Sequence, residues 1–228
     1  MKKVIILHGW TKTVDKWNPL VDELNKKGIE TNLLKVPGLT VSLNKAWNLN
    51  DYVDWLSEIV KKEKNKVILV GHSNGGRIAI AFTNKYPEKV EKLILIDSAG
   101  IYHNELPHRM KILVFKTIAK IGKKITSSKI FEDLLYKLAR EGDYKKSDPI
   151  MKQTMINLLN SNKDLNISQI STPTLIIWGK EDKITPFSDG KLMHTLIINS
   201  KFEIIENAKH SPMYTNTKKV AEIIYEYI

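Results

Sequence analysis

Short apolar runs alternate along the chain with segments whose apolar residues recur every three or four positions. The runs are rich in Val, Ile and Leu and lie at Val4–Leu7, Thr31–Val36, Val67–Val70, Leu93–Ile96, Thr174–Trp178 and Phe202–Ile205. Because they show little alternation of apolar and polar residues, they are typical of strands buried on both faces of a parallel sheet. The periodic segments predict helices at Val14–Lys26, Asp51–Lys64, Asn74–Tyr86, Pro186–Ile197 and Thr217–Ile228. This alternation predicts a doubly wound α/β fold with a mostly parallel sheet.

The alternation stops between residues 101 and 170, where helical patterns follow one another without strands. Helices are predicted there at Pro107–Ile121, Ser127–Arg140 and Pro149–Leu159. A connection of this length is far longer than an ordinary loop of an α/β unit. We therefore predict a core formed by residues 1–100 and 171–228, and a helical cap insertion, residues 101–170, that lies over the functional site.

Composition narrows the possible chemistry. The chain has 228 residues and is 42% apolar, which is enough for one core of ordinary size. It has no cysteine, so disulfides, thiolate metal sites and a thiol nucleophile are excluded. The net charge is +11, but the lysines are scattered over predicted polar helix faces, without an arginine-rich block or a recognisable nucleic-acid module. We expect no nucleic-acid partner.

The apolar segments are too short for targeting or membrane insertion. Val4–Leu7 falls short of the roughly 7–15 residues of a signal-peptide core, and no stretch approaches the ~20 apolar residues of a membrane span. The expectation is a cytoplasmic protein without integral membrane association. Both a monomer and a homodimer remain open.

The segment Gly71-His72-Ser73-Asn74-Gly75, here called the elbow, joins a predicted buried strand directly to a predicted helix. This is the context that the G-x-S-x-G motif requires, because its serine occupies a sharp, strained strand-to-helix turn. Only small residues two positions before and after the serine avoid collision there, and Gly71 and Gly75 supply them. The pattern predicts Ser73 as a nucleophile exposed at the carboxyl edge of the sheet.

A serine nucleophile needs a base, and the base needs an orienting acid. The expected chain order after such an elbow is serine, acid, histidine. Asp182 follows the predicted strand Thr174–Trp178, and His210 follows Phe202–Ile205. Because the carboxyl ends of parallel strands meet at one edge of the sheet, we predict Ser73, Asp182 and His210 as a catalytic triad.

Each role has weaker candidates. Asp97 also follows a predicted strand and could orient the histidine, whereas Glu181 is expected to point away on a tight loop. His72 is expected to be a spacer in the elbow that hydrogen-bonds locally. The remaining candidates for the base lack a strand-end position and are expected at the surface or along the pocket: His103, His108 and His194.

The negative oxygen of a tetrahedral intermediate requires two backbone N–H donors. The residue after the nucleophile, Asn74, is the first predicted donor. The loop His8-Gly9-Trp10 follows the first predicted strand, and its glycine permits a tight turn. The N–H of Trp10 is the second predicted donor of this oxyanion hole.

Together these segments resemble the α/β-hydrolase superfamily, specifically its cap-bearing branch of esterases and carbon–carbon bond hydrolases. The resemblance implies a sheet of about six strands that lacks the first two strands of larger members. It is carried by the following segments: the oxyanion loop His8-Gly9-Trp10, the turn Val36-Pro37-Gly38 (without the acidic residue usual there), the elbow, the acid loop Gly179–Asp182 and the histidine loop His210-Ser211-Pro212.

The resemblance and the triad imply a serine esterase that transfers an acyl group to water, without a metal or organic cofactor. A small-molecule carboxylic ester with an apolar group is the expected substrate. A carbon–carbon bond hydrolase of the meta-cleavage-product type would use the same residues, and a non-catalytic ligand-binding member of the fold is a third possibility. The apolar group is inferred from side chains of the predicted cap: Tyr102, Met110, Phe115, Phe131, Tyr136, Met151 and Met155.

Overall fold

The structure, a computed structural model, describes residues 3–11, 13–103 and 149–228. Six strands in this part of the chain form one open sheet in the order β2-β1-β3-β4-β5-β6, and every neighbouring pair is parallel. The predicted parallel sheet is therefore confirmed. The strands are β1 (Lys3–Leu7), β2 (Glu30–Leu34), β3 (Val67–His72), β4 (Val90–Ile96), β5 (Thr174–Gly179) and β6 (Ser200–Ile205).

Helices cover both faces of this sheet. Successive strand residues point to opposite faces, so each central strand contributes to two separate apolar clusters. The helices are α1 (Asn18–Lys26), α2 (Leu49–Val60), α3 (Asn74–Lys85), α4 (Pro149–Asn160), α5 (Phe187–Leu196), α6 (Pro212–Thr215) and α7 (Thr217–Tyr227). One cluster packs under α2, α3 and α5, and the other under α1 and α7.

The two edge strands correct one prediction. The runs at Thr31–Val36 and Phe202–Ile205 were expected to be buried on both faces, but β2 and β6 have mostly exposed or half-buried residues. An edge strand has a neighbour on one side only, and the flanking helices cover it incompletely. The central strands β3 and β5 are buried along their whole length, as predicted.

The predicted cap is described only at its two ends. The helix expected at Pro149–Leu159 is present as α4, whereas those expected at Pro107–Ile121 and Ser127–Arg140 lie outside the described residues. The division into core and cap therefore stays a prediction. Within the described ranges, no helix combines the length and the apolar character needed to cross a membrane.

Candidate active site

Ser73 is the single residue between the end of β3 and the start of α3. Its backbone has φ 52° and ψ −120°, a region that side-chain-bearing residues rarely adopt. The turn is held from both sides: the Ser73 N–H donates to the carbonyl of Ile96 at 3.1 Å, and its own carbonyl accepts the N–H of Ala99 at 2.9 Å. The predicted strained elbow is thus present, anchored to the end of β4.

Close backbone packing explains the two glycines of the elbow. A Cβ on Gly71 would lie 2.6 Å from the Cα of Gly76, and a Cβ on Gly75 would collide with the carbonyl of Leu7 in β1. Both neighbours are backbone atoms, which cannot rotate away as a flexible side chain could. The elbow therefore requires glycine at these two positions.

Ser73, His210 and Asp182 form a continuous chain of hydrogen bonds. The His210 Nε2 lies 3.0 Å from the Ser73 Oγ, and the His210 Nδ1 lies 2.7 Å from the Asp182 Oδ2. Because the carboxylate can only accept, Nδ1 carries the hydrogen and Nε2 presents its lone pair to the serine hydroxyl. The structure thus brings the three predicted residues together in the geometry of a nucleophile, a base and an orienting acid.

The acid lies in a tight loop after β5 and is buried. The Asp182 Oδ1 accepts the N–H groups of Ile184 at 2.7 Å and Thr185 at 3.2 Å, and the Thr185 hydroxyl donates to Oδ2 at 2.7 Å. Thr185 was not among the predicted site residues. The available signal was a hydroxyl residue three positions after an aspartate in a loop, a spacing at which such side chains hydrogen-bond locally.

The other candidate acids occupy different places. Glu181 is exposed. Asp97 is fully buried, and its Oδ1 accepts the N–H of Gly179 at 2.8 Å, whereas its Oδ2 has no hydrogen-bond partner among the described residues. Burial, and secondly the nearby charge of Asp182, raise the pKa of the Asp97 carboxyl to about 8. The Asp97 carboxyl is therefore protonated and uncharged near pH 7. It is Asp182, and not Asp97, that contacts the His210 imidazole.

His72 does more than the local spacing role that was expected of it. Its Nε2–H donates to the carbonyl of His210 at 2.8 Å, a contact between residues 138 positions apart. Burial lowers the pKa of His72 to about 3, so the ring is neutral and can make this bond without introducing a charge. The residue before Ser73 thus anchors the loop that carries His210.

Two other candidate bases, His103 and His194, bind other side chains. The His103 Nε2 lies 3.0 Å from the Oδ2 of the buried Asp189, and the His194 Nδ1 lies 2.8 Å from the Ser200 Oγ. His108 lies outside the described residues. Of the candidate bases that are described, His210 is the one whose ring reaches the serine.

The loop after β1 lies against Ser73. A Cβ on Gly9 would be only 2.8 Å from the Ser73 Cβ, so a side chain at this position would push the loop away. Asn74 is the first residue of α3, where backbone N–H groups have no acceptor within the helix. In the described part of the chain, no residue accepts a hydrogen bond from the N–H of Trp10 or of Asn74. The loop that carries Trp10 thus lies against Ser73 at Gly9, and Asn74 follows Ser73 directly in the chain.

His8 holds this loop in place, a role that sequence analysis did not foresee. Its Nε2 accepts the N–H of Val36 at 3.2 Å, so the hydrogen is on Nδ1, which donates to the Gly9 carbonyl at 2.7 Å. Burial lowers the pKa of His8, and the neutral ring can both donate and accept. The ring therefore ties the Gly9 turn to the segment that follows β2.

One group of possible metal ligands occurs among the described residues. Atoms of His72, Asp97 and His210 lie within 4.8 Å of one another. Both ring nitrogens of His210, however, already contact Ser73 and Asp182. A metal ion bound through His210 would have to displace one of these bonds, so the arrangement favours the hydrogen-bonded triad.

A family model described as "Serine aminopeptidase, S33" matches residues 1–216. The chain belongs to this family. This membership confirms the predicted resemblance to the α/β-hydrolase superfamily. Together with the relatives described next, it identifies the protein as a hydrolase.

Several known proteins resemble this S33 member over nearly its whole length. "Monoacylglycerol lipase ABHD6" of Bos taurus is 25% identical over 253 residues, which cover 99% of this chain and 74% of that protein. "2-hydroxy-6-oxononadienedioate/2-hydroxy-6-oxononatrienedioate hydrolase 1" of Pseudomonas putida is 22% identical over 259 residues, covering 99% and 87%. The solved structure of the esterase EaEST from Exiguobacterium antarcticum has a TM-score of 0.75 at 20% identity, covering 100% and 91%. The last comparison supports the fold alone.

Proposed function

We propose that the protein is a serine hydrolase that cleaves a small carboxylic ester through an acyl-enzyme on Ser73. The observation that carries this proposal is the chain of hydrogen bonds from the Ser73 Oγ through His210 to Asp182, at 3.0 Å and 2.7 Å. A serine hydroxyl is a weak nucleophile, and an oriented imidazole within hydrogen-bond reach is the arrangement that activates it.

In each half of the proposed reaction, His210 first accepts a proton and then returns one. As the Ser73 Oγ attacks the ester carbonyl, the His210 Nε2 takes the hydroxyl proton, and Asp182 stabilises the resulting imidazolium. When the tetrahedral intermediate collapses, the same proton passes to the departing alkoxide, and the acyl group remains on Ser73. Water then attacks this acyl-enzyme with His210 again as the base, which releases the carboxylic acid and restores the serine.

The N–H groups of Trp10 and Asn74 act in this proposal as the oxyanion hole. Negative charge develops on the carbonyl oxygen beside Ser73, and preformed donors stabilise it without reorganising. The N-terminus of α3 adds a favourable partial positive charge at the same place. The rigid attachment of the Gly9 loop by His8 keeps one donor in position before substrate binds.

We propose an ester with an apolar group as the substrate. The relative named as a monoacylglycerol lipase supports an ester. Of the apolar cap residues predicted to contact the substrate, Tyr102 is exposed and Met155 is buried in packing. Met151 is half-buried in α4, and the remaining four lie outside the described residues. The apolar preference therefore rests on sequence and relatives.

Ester hydrolysis is tested most directly with a chromogenic ester and an active-site probe. The wild-type protein is expected to hydrolyse p-nitrophenyl acetate and to bind about one equivalent of a fluorophosphonate, mapped by mass spectrometry to the peptide that contains Ser73. Ser57→Ala is the matched control, because among the described residues this hydroxyl bonds to the Asp54 carbonyl on α2 alone. Folded protein that neither turns over the ester nor reacts with the probe would identify a non-catalytic binding member of the fold.

A carbon–carbon bond hydrolase is the second candidate, favoured by the similarity to the Pseudomonas putida enzyme. Its chemistry would use the same serine, base and oxyanion donors. A meta-cleavage product, a vinylogous diketone acid, separates the candidates when it is compared with esters of graded acyl length. We expect kcat/KM for the best ester to exceed that for the diketone acid, and the reverse order would assign the carbon–carbon reaction.

The pH dependence of ester hydrolysis reports the base. We expect kcat/KM to rise from acid toward neutral pH, because only a neutral His210 ring can accept the serine proton. Initial rates in buffers of constant ionic strength measure this profile. A profile that is flat from acid to neutral pH would rule out a histidine base.

A further inference from the structure

The hydroxyl of Thr185 lies inside the triad rather than at its edge. The residue is buried, and its Oγ1 is 2.7 Å from the Asp182 Oδ2, 3.1 Å from the carbonyl oxygen of Asp97 and 3.2 Å from the His210 Nδ1. The hydroxyl thus faces both partners of the bond that orients the imidazole. The proposed hydrolysis mechanism assigns no step to this hydroxyl.

The direction of the hydroxyl proton follows from its neighbours. The His210 Nδ1 already directs its hydrogen to Asp182, so it cannot accept from Thr185. A carboxylate is a stronger acceptor than a carbonyl, and Oδ2 of Asp182 is nearer than the Asp97 carbonyl. The Thr185 O–H therefore donates to Asp182.

With this bond, every acceptor position of the Asp182 carboxylate is used. Oδ1 accepts the N–H groups of Ile184 and Thr185, and Oδ2 accepts the Thr185 hydroxyl and the His210 Nδ1–H. A carboxylate offers about four such positions, so rotation of the group would break bonds at both oxygens. Its orientation toward the imidazole is held by the Thr185 hydroxyl as well as by the loop backbone.

We propose that Thr185 is a positioning residue for the hydrolytic reaction: its hydroxyl holds the Asp182 carboxylate against the His210 Nδ1 and spreads the negative charge of that carboxylate. The proposal rests on the proposed function of Ser73 and adds a residue that acts through Asp182 without touching the substrate.

Two titratable groups beside this bond are uncharged near neutral pH. From β4, the Asp97 carboxyl is neutral at neutral pH because burial raises its pKa to about 8. From the elbow, His72 is neutral because burial lowers its pKa to about 3. The hydroxyl of Thr185 therefore acts on a single carboxylate charge near neutral pH.

The backbone of Thr185 is held by bonds that do not involve its hydroxyl, so replacing the side chain tests the hydroxyl alone. Its N–H donates to the Asp182 Oδ1, and its carbonyl accepts the Trp178 Nε1–H at 3.1 Å. Thr185→Val retains the shape and these backbone bonds but removes the hydroxyl. Thr185→Ser retains the hydroxyl. Thr185→Ala also removes the hydroxyl, and it replaces Thr185→Val in the experiment if the valine variant does not fold.

We expect Thr185→Val to lower kcat/KM for p-nitrophenyl acetate roughly tenfold, mainly through kcat, whereas Thr185→Ser stays near the wild-type value. The acid limb of the valine variant should move to higher pH, because a carboxylate without this donor holds the protonated imidazole more strongly. A residue with a purely structural role would change the melting temperature but not this limb. Wild-type kcat/KM and pH profile in Thr185→Val, or an equal loss in Thr185→Ser, would overturn the proposal.

A second measurement does not depend on turnover. The His210 C2–H resonance, followed by NMR against pH, should titrate at higher pH in Thr185→Val than in the wild type, and unchanged in Thr185→Ser. If the wild type shows no hydrolase activity, the proposed function fails while this titration still reports the contact between Thr185 and the Asp182–His210 pair. An unchanged titration in Thr185→Val refutes the positioning role by itself.

Discussion

Ser73→Ala is expected to lower kcat for p-nitrophenyl acetate by at least ~10³-fold and to abolish fluorophosphonate labelling. The substitution removes the oxygen that would form the acyl-enzyme, and no other described serine hydroxyl contacts the His210 Nε2. Steady-state rates with p-nitrophenyl acetate, compared with those of Ser57→Ala, measure the effect. If Ser73→Ala retained more than a few per cent of the activity, another residue would have to be the nucleophile.

The same position separates catalysis from stability. Alanine retains a Cβ at φ 52°, so the backbone strain remains and the free energy of unfolding should stay within about 1 kcal/mol of the wild type. Ser73→Gly can adopt this conformation without strain and should be about 1 kcal/mol more stable than Ser73→Ala, although equally inactive. Urea unfolding measures both variants. A glycine variant less stable than the alanine variant would argue against strain at the elbow.

Asp97→Asn is expected to gain stability relative to the wild type as the pH rises from about 5 to about 9, by on the order of 3 kcal/mol. In the folded wild type, burial raises the pKa of Asp97 to about 8. Over most of this pH interval the folded protein therefore retains a proton that the unfolded chain has lost. Stability falls as the pH rises wherever the folded state binds more protons than the unfolded state. Asparagine does not titrate, so Asp97→Asn removes this loss of stability.

The measurement is the free energy of unfolding of both proteins across this pH range. The difference between the two proteins isolates Asp97, because His72 is present in both. Burial lowers the pKa of His72, so this residue makes the folded protein less stable below about pH 6.5, the opposite direction to Asp97. Asp22→Asn on the exposed side of α1 is the matched control, and its difference from the wild type should not change. A constant difference for Asp97→Asn would mean that its carboxyl ionises in the folded protein as it does in the unfolded chain.

In the described part of the chain, the sequence by itself determined the strands, the helices and the placement of the candidate site. Burial of central strands produces unbroken apolar runs, and packing of helices produces three- and four-residue periodicity, so both are visible locally. The elbow was predictable for the same reason, because its strained turn demands glycine at positions 71 and 75, next to strand and helix patterns. Parallel strands then place Asp182 and His210 at the edge that carries Ser73.

The tertiary structure alone decided which side chains from different segments contact one another. Asp97 and Asp182 both follow strands, and only the loop geometry shows that the carboxylate of Asp182 reaches the His210 ring while Asp97 is buried beside it. The bond from His72 to the His210 carbonyl joins residues 138 positions apart. The edge positions of β2 and β6, which leave them partly exposed, follow from strand order rather than composition. Periodicity records how each segment is buried, whereas distances between side chains on separate strands depend on the assembled sheet.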